Sequence, residues 1–90
     1  MIKLIKNKME RSKLIEKLTG IFRSILKNNE LVISDELTAD DVKEWDSLTH
    51  MILITTIENK FRIKFKLREL NKLKDVGSLI ELIQLKLKEL

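Results

Sequence analysis

The ninety-residue chain predicts an all-α fold, a four-helix bundle with a long first connection and a short third helix. Three observations carry that expectation. Apolar residues recur at steps of three and four in separate stretches, the signature of one-sided helices. There is no proline, and only Gly20 and Gly77 interrupt the chain, so polar clusters must end the helices. Ninety residues with 43% apolar content suffice for one small core and not for two.

The first helix is expected from Met9 to Lys27, with Met9, Leu14, Ile15, Leu18, Ile21, Phe22, Ile25 and Leu26 as apolar positions. Gly20 weakens it by about 1 kcal/mol relative to alanine, which packing can absorb. Asn28-Asn29 is its expected stop. The connection from Asn28 to Asp46 is too long for a bare loop in a compact domain. Leu31, Ile33, Leu37 and Val42 can anchor it. Thr38-Ala39-Asp40-Asp41 has the Thr-x-x-Asp form of a capping box, which predicts a short helical turn over Ala39 to Lys43.

A second strong helix is predicted from Ser47 to Phe61, with Leu48, Met51, Ile52, Ile54 (or Leu53), Ile57 and Phe61 as its apolar stripe. Met51 to Ile57 is β-branched enough to resemble a strand, but the length of the stretch and the lack of strand partners favour helix. Phe61 to Phe65 alternates with period two and reads as an extended linker burying Phe61, Ile63 and Phe65. A short helix around Leu67 to Asn71 follows. Asp75 or Ser78 then caps a last helix to about Lys88, on which Leu79, Leu82, Ile83, Leu85 and Leu87 cannot all face inward. Residues 1–8 read as an N-terminal extension and 9–88 as the domain.

The net charge of +4 hides an asymmetry. Residues 1–27 hold eight basic against two acidic side chains, and residues 28–46 hold seven acidic against one basic. A basic first helix and an acidic connection can pair with each other or meet different partners. The absence of cysteine excludes a disulfide scaffold, a thiol nucleophile and a thiolate metal site. No run approaches the ~18 apolar residues of a membrane span, and Met1 to Lys8 lacks the unbroken apolar core of a signal peptide. The expected location is cytoplasmic, without stable membrane insertion.

The chemistry centres on Asp46-Ser47 at the start of the second helix. The plainest reading is that one of them is an N-cap. A hydroxyl there also sits among unpaired backbone N–H groups and the positive end of the helix dipole, both of which stabilise a phosphate ester. The neighbouring carboxylate repels such a phosphate unless a divalent cation bridges them, so cation-assisted transfer of a phosphoryl-containing group onto Ser47 is chemically sensible. Ser47 does not read as a catalytic nucleophile. Its only candidate base is His50, and the chain lacks a Gly-x-Ser-x-Gly elbow.

Trp45-Asp46-Ser47-Leu48 opening a helix, preceded by an amphipathic helix and an acidic connection, forms an ordered constellation. It continues through Ile57-Glu58-Asn59-Lys60-Phe61-Arg62-Ile63-Lys64-Phe65, a short helix and a closing helix from Val76 to Leu87. Over about Met9 to Leu87 this resembles the acyl carrier protein family, and within it the free-standing carriers. The resemblance implies that the 9–88 domain is an acyl carrier domain, not itself an enzyme, with 4′-phosphopantetheine attached covalently to Ser47. Acyl or aminoacyl groups then ride as thioesters on the arm's thiol. It further implies that Asp46 helps orient the Mg²⁺ used by a phosphopantetheinyl transferase, and that Leu48 and Met51 lie where partners or the arm meet the second helix. Ile52 and Glu58 join Met51 as expected docking positions. The implied partners are that transferase and the acyl-loading and acyl-using enzymes, the implied state a monomer, and no metal is expected to reside in the domain.

The surface departs from the family's usual acidity. Only Glu58 is acidic between Ser47 and Phe65, Ile52 stands where many carriers have Glu, and Lys60, Arg62, Lys64, Lys66 and Arg68 follow. That points to a dedicated partner with an acidic or apolar docking site, or to docking through the acidic connection. Trp45 is expected as a partly buried anchor of that connection, and His50 on the exposed or partner-facing side of the second helix. Asp35, Glu36, Asp40, Asp41 and Glu44 lack calcium-loop spacing and read as a solvated face. The competing class is a basic helical module that binds nucleic acid or a partner protein, with Ser47 only a cap. Its basic charges, however, are spread around the first helix, and the second helix is too apolar for a nucleic-acid groove.

Overall fold

The computed structural model describes residues 10–89, which form four α-helices and one 3-10 turn, with no strand among them. Met9 and the extension 1–8 lie outside the described residues. Helix α1 spans Arg11–Leu26. Its Leu14, Leu18, Phe22 and Leu26 recur every four residues and therefore stack along one face. Each is at most 1% exposed, while Ile15, Ile21 and Ile25 flank them half-buried. The helix ends one residue before the asparagine pair. Lys27 turns left-handed at φ 54°, and its N–H and that of Asn28 both donate to the Arg23 carbonyl, closing the last turn.

The connection is tied down by its backbone more than by its charges. Ile33 and Val42 enter the core, whereas Val32 is exposed. Arg23 Nε donates to the Leu31 carbonyl at 2.8 Å, and Arg11 pairs with Asp35 at 2.6 Å, one direct link between the basic helix and the acidic segment. The 3-10 turn covers Ala39–Asp41, shorter than predicted, with Asp41 Oδ2 accepting the Thr38 N–H at 3.0 Å. At its far side the connection meets helix α4 (Val76–Lys88). The Val76 and Gly77 N–H groups donate to the Leu37 and Asp35 carbonyls at 2.9 and 3.0 Å, and Ser78 N–H to Asp75 Oδ1 at 2.9 Å. The first three N–H groups of α4, orphans in any helix, are thereby satisfied. That approach requires Gly77, because a Cβ there would stand 3.0 Å from the Asp35 Cβ and 3.1 Å from its carbonyl oxygen.

Helix α2 spans Ser47–Phe61, as predicted. Its inward face is Leu53, Ile54, Ile57 and Phe61, and the expected stripe is corrected at its start. Leu48, Met51 and Ile52 are 70%, 55% and 44% exposed. At 100° per residue Leu48 lies about 180° from Ile57, whereas His50 lies only about 20° from it. Past Phe61, Arg62 turns left-handed at φ 57°, so the extended linker begins later than the period-two pattern suggested. Ile63 is buried and Phe65 half-buried, followed by the single-turn helix α3 (Leu67–Leu70). Lys86 of α4 pairs with Glu69 of α3 at 2.8 Å. On α4, Val76, Leu79, Ile80, Ile83 and Leu87 are buried and Leu85 exposed, so Val76 and Ile80 take inward places that Leu82 and Leu85 do not fill. α1 packs on both α2 and α4.

Candidate functional site

Asp46, not Ser47, is the N-cap of α2. Its Oδ1 accepts the Thr49 N–H at 2.9 Å, and Thr49 Oγ1 accepts the Asp46 N–H at 2.9 Å while donating to the Glu44 carbonyl at 2.8 Å. This reciprocal cap does not involve Ser47, which is the first residue of the helix and exposed. The Thr49 backbone N–H, and after it the Thr49 hydroxyl, hold the Asp46 carboxyl below the usual aspartate range, so it is ionised at neutral pH. Ser47 thus presents its hydroxyl at a helix start already closed by a neighbouring anion.

Behind the cap stands an aromatic pair. Trp45 is half-buried, as an anchor of the connection should be, and packs edge-on against buried Phe22, with centroids 5.2 Å apart and planes at 87°. Its indole N–H donates to His50 Nδ1 at 3.1 Å, and the two ring planes are 23° from parallel with centroids 6.2 Å apart. His50 was expected on the exposed or partner-facing side. Instead it is half-buried, because it continues the inward face set by Ile57 and finds its partner five residues upstream. Its angular position on the helix held that signal; the pairing with Trp45 depends on how the connection folds back.

Ala39, Trp45, Asp46, Ser47, His50 and Met51 line a surface groove of about 530 Å³. A smaller cleft of about 110 Å³ is lined by Leu73, Lys74, Asp75 and Leu79 together with Ala39, Trp45 and His50. The indole and imidazole form a wall common to both.

The remaining predicted site residues separate into two places. Met51 lines the groove, and Leu48 and Ile52 are exposed apolar residues on the outward face of the same end of α2. Glu58 is not with them. Eleven residues beyond Ser47 on α2, about 16 Å at 1.5 Å per residue, its Oε2 accepts the Phe65 N–H at 2.9 Å and fastens the linker. Glu58 thus has a structural task besides the docking one expected of it. Lys60, Arg62, Lys64, Lys66 and Arg68 are all exposed around that end, and Asp35, Glu36, Asp40, Asp41 and Glu44 are exposed on the connection.

No protein-family model and no curated protein matches the chain. Solved structures do. A solution NMR structure of holo acyl carrier protein from Geobacter metallireducens is 44% identical, with 83% of this chain and 86% of that one covered and a TM-score of 0.80. The crystal structure of an acyl carrier protein from Thermotoga maritima is 28% identical, covering 90% of this chain and 94% of that one at a TM-score of 0.77. With helix order, a serine directly behind the α2 cap and that identity in agreement, the chain belongs to the acyl carrier protein family.

Proposed function

We propose that the protein carries acyl or aminoacyl groups as thioesters on a 4′-phosphopantetheine arm attached to Ser47, in service of a dedicated biosynthetic pathway. The observation that carries this reading is the division of labour at the start of α2. Asp46 and Thr49 close the cap, which leaves the exposed Ser47 hydroxyl outside it and beside an open groove. The residues fit the group: a phosphodiester on Ser47 meets the positive end of a 15-residue helix, and the groove offers room for the arm to lie along Trp45 and Met51. The holo form of the Geobacter metallireducens protein supports the assignment. When attached, the arm supplies the thiol that a chain without cysteine lacks.

The other residues prepare and present that serine. Asp46, kept ionised by Thr49, is the carboxylate suited to orient the Mg²⁺ of the modifying transferase. Leu48, Met51 and Ile52 form the apolar spot on which that transferase and the acyl-loading and acyl-using enzymes dock, and Glu58, further along α2, offers them a carboxylate besides fastening the linker. The exposed cations from Lys60 to Arg68 favour partners whose rims are acidic. In this reading the protein is a cytoplasmic monomer and a substrate of enzymes rather than an enzyme, with no nucleic-acid role. No described helix is long and apolar enough to cross a membrane.

Intact mass after incubation with coenzyme A, Mg²⁺ and a broad-specificity phosphopantetheinyl transferase tests this. The wild type should gain one phosphopantetheine and Ser47→Ala none. A folded wild type that gains no mass defeats the proposal.

A further inference from the structure

The Trp45–His50 pair has no part in capping, and a buried core does not require it. A leucine at position 50 would fill the inward face of α2 with no polar atom to satisfy. What the pair does is define one imidazole. A neutral histidine carries its proton on one nitrogen, and the hydrogen bond at the other decides which. Here Nδ1 accepts the Trp45 indole N–H at 3.1 Å. The proton therefore resides on Nε2, on the side of the ring away from the indole. Trp45 is itself held by its edge-on contact with Phe22, which is fully buried, so the imidazole is braced through the indole to the core.

His50 lines the groove that also contains Ser47. The two are three residues apart on α2, a spacing that brings Cβ atoms to about 5–6 Å on one helix surface. A phosphoryl group extends the reach further, since its oxygens lie two bonds beyond the serine oxygen. An anion at that place has the Asp46 carboxylate as a neighbour, an unfavourable one, and Asp46 Oδ1 is occupied by Thr49. The Nε2–H of His50, whose ring is fixed by the bond at Nδ1, can provide a charge-assisted hydrogen bond that a phosphate oxygen accepts.

We propose that His50, held by Trp45 with its proton on Nε2, is a positioning residue that donates this N–H to the phosphodiester on Ser47 and directs the arm along the groove between Trp45 and Met51. The inference rests on the carrier reading of Ser47 and adds a residue to it. His50 takes no part in attaching the arm. Its effect is on where the attached arm points, and so on how the thiol is presented to a docked enzyme.

Nuclear magnetic resonance of the protein bearing phosphopantetheine tests the proposal, with mass spectrometry establishing that the arm is attached. At alkaline pH the wild-type imidazole should show Nε2 protonated and Nδ1 bare. The single tryptophan should give Overhauser contacts with the arm's pantetheine protons. His50→Leu should shift the ³¹P resonance toward that of a free phosphodiester and abolish those contacts. His50→Gln, which retains a side-chain N–H donor, should restore part of both. Trp45→Phe, which keeps a ring against Phe22 but loses the lock, should leave the tautomer mixed and the arm contacts at position 50 weakened. An unchanged ³¹P resonance and unchanged arm contacts in a folded His50→Leu protein overturn the inference, as does a wild-type imidazole protonated on Nδ1. These are distinguishable from failure of the carrier reading, in which no mass is gained on Ser47 and both proposals fall.

Discussion

Replacing each glycine in turn by alanine separates local helix preference from tertiary contact, because both glycines lie in helices without a positive φ and only one of them is crowded. Gly20 is exposed in the middle of α1, and a Cβ there meets nothing within 4 Å. Gly20→Ala should therefore realise the ordinary alanine advantage of about 0.8–1 kcal/mol. For a domain of this size that is an increase in Tm of about 4–8 °C. Gly77 is buried in the first turn of α4, and the same Cβ stands 3.0 Å from Asp35 Cβ and 3.1 Å from Asp35 O. Comfortable contact between carbons needs about 3.5–4.0 Å, so something must move. The obstacle is main chain rather than a flexible side-chain tip, and the Asp35 and Leu37 carbonyls hold it against α4.

Displacing it strains or breaks those two hydrogen bonds, at about 0.5–1.5 kcal/mol each, against at most about 1 kcal/mol gained in helix preference. Gly77→Ala should thus destabilise by up to about 2 kcal/mol, opposite in sign to Gly20→Ala. Urea denaturation followed by circular dichroism and Trp45 fluorescence measures both, as shifts in midpoint at constant slope. A Gly77→Ala midpoint at or above the wild type would show that the connection yields freely. The claim that backbone hydrogen bonds fasten it to α4 would then be wrong.

Two further outcomes follow from the site. Asp46 has its folded-state pKa depressed by Thr49, so its share of stability is present above the ordinary carboxylate range and is lost as pH falls through the folded value. Asp46→Asn keeps a capping acceptor but cannot titrate; the Tm gap between wild type and variant should be widest near neutral pH and narrow on acidification. A gap constant with pH contradicts the assignment, since Glu69, held down by Lys86, titrates alike in both proteins. Phe22→Leu should cost about 1–3 kcal/mol, of which the lost edge-to-face pair with Trp45 is about 0.5–1.5 kcal/mol. It should also red-shift Trp45 emission; unchanged emission would mean the indole is held by other contacts.

Most of the helical architecture was legible because it depends on local rules. The four-residue recurrence from Leu14 to Leu26, the cap pattern around Asp46 and Thr49, and the Asp75–Ser78 start of α4 are all written within one or two helical turns of sequence. The resemblance carried by Trp45-Asp46-Ser47-Leu48 and the closing helix likewise needs only the order of residues. The half-burial of His50 was also available from helix geometry, where it shares the face of Ile57.

What the tertiary structure decided are the contacts between segments distant in sequence. Glu58 was the lone acid on its stretch and read as a docking charge; that it also fastens the linker depends on the return that brings the Phe65 N–H to its carboxylate. Gly77 showed nothing but flexibility in sequence; its role exists only because Asp35, more than forty positions away, lies against it. The proton position on His50 is of the same kind, since it depends on an indole that the connection and Phe22 together put in place. Periodicity and caps describe how a segment folds on itself. A hydrogen bond or close approach between segments depends on where the packed core places both, and one segment's residue pattern does not encode that.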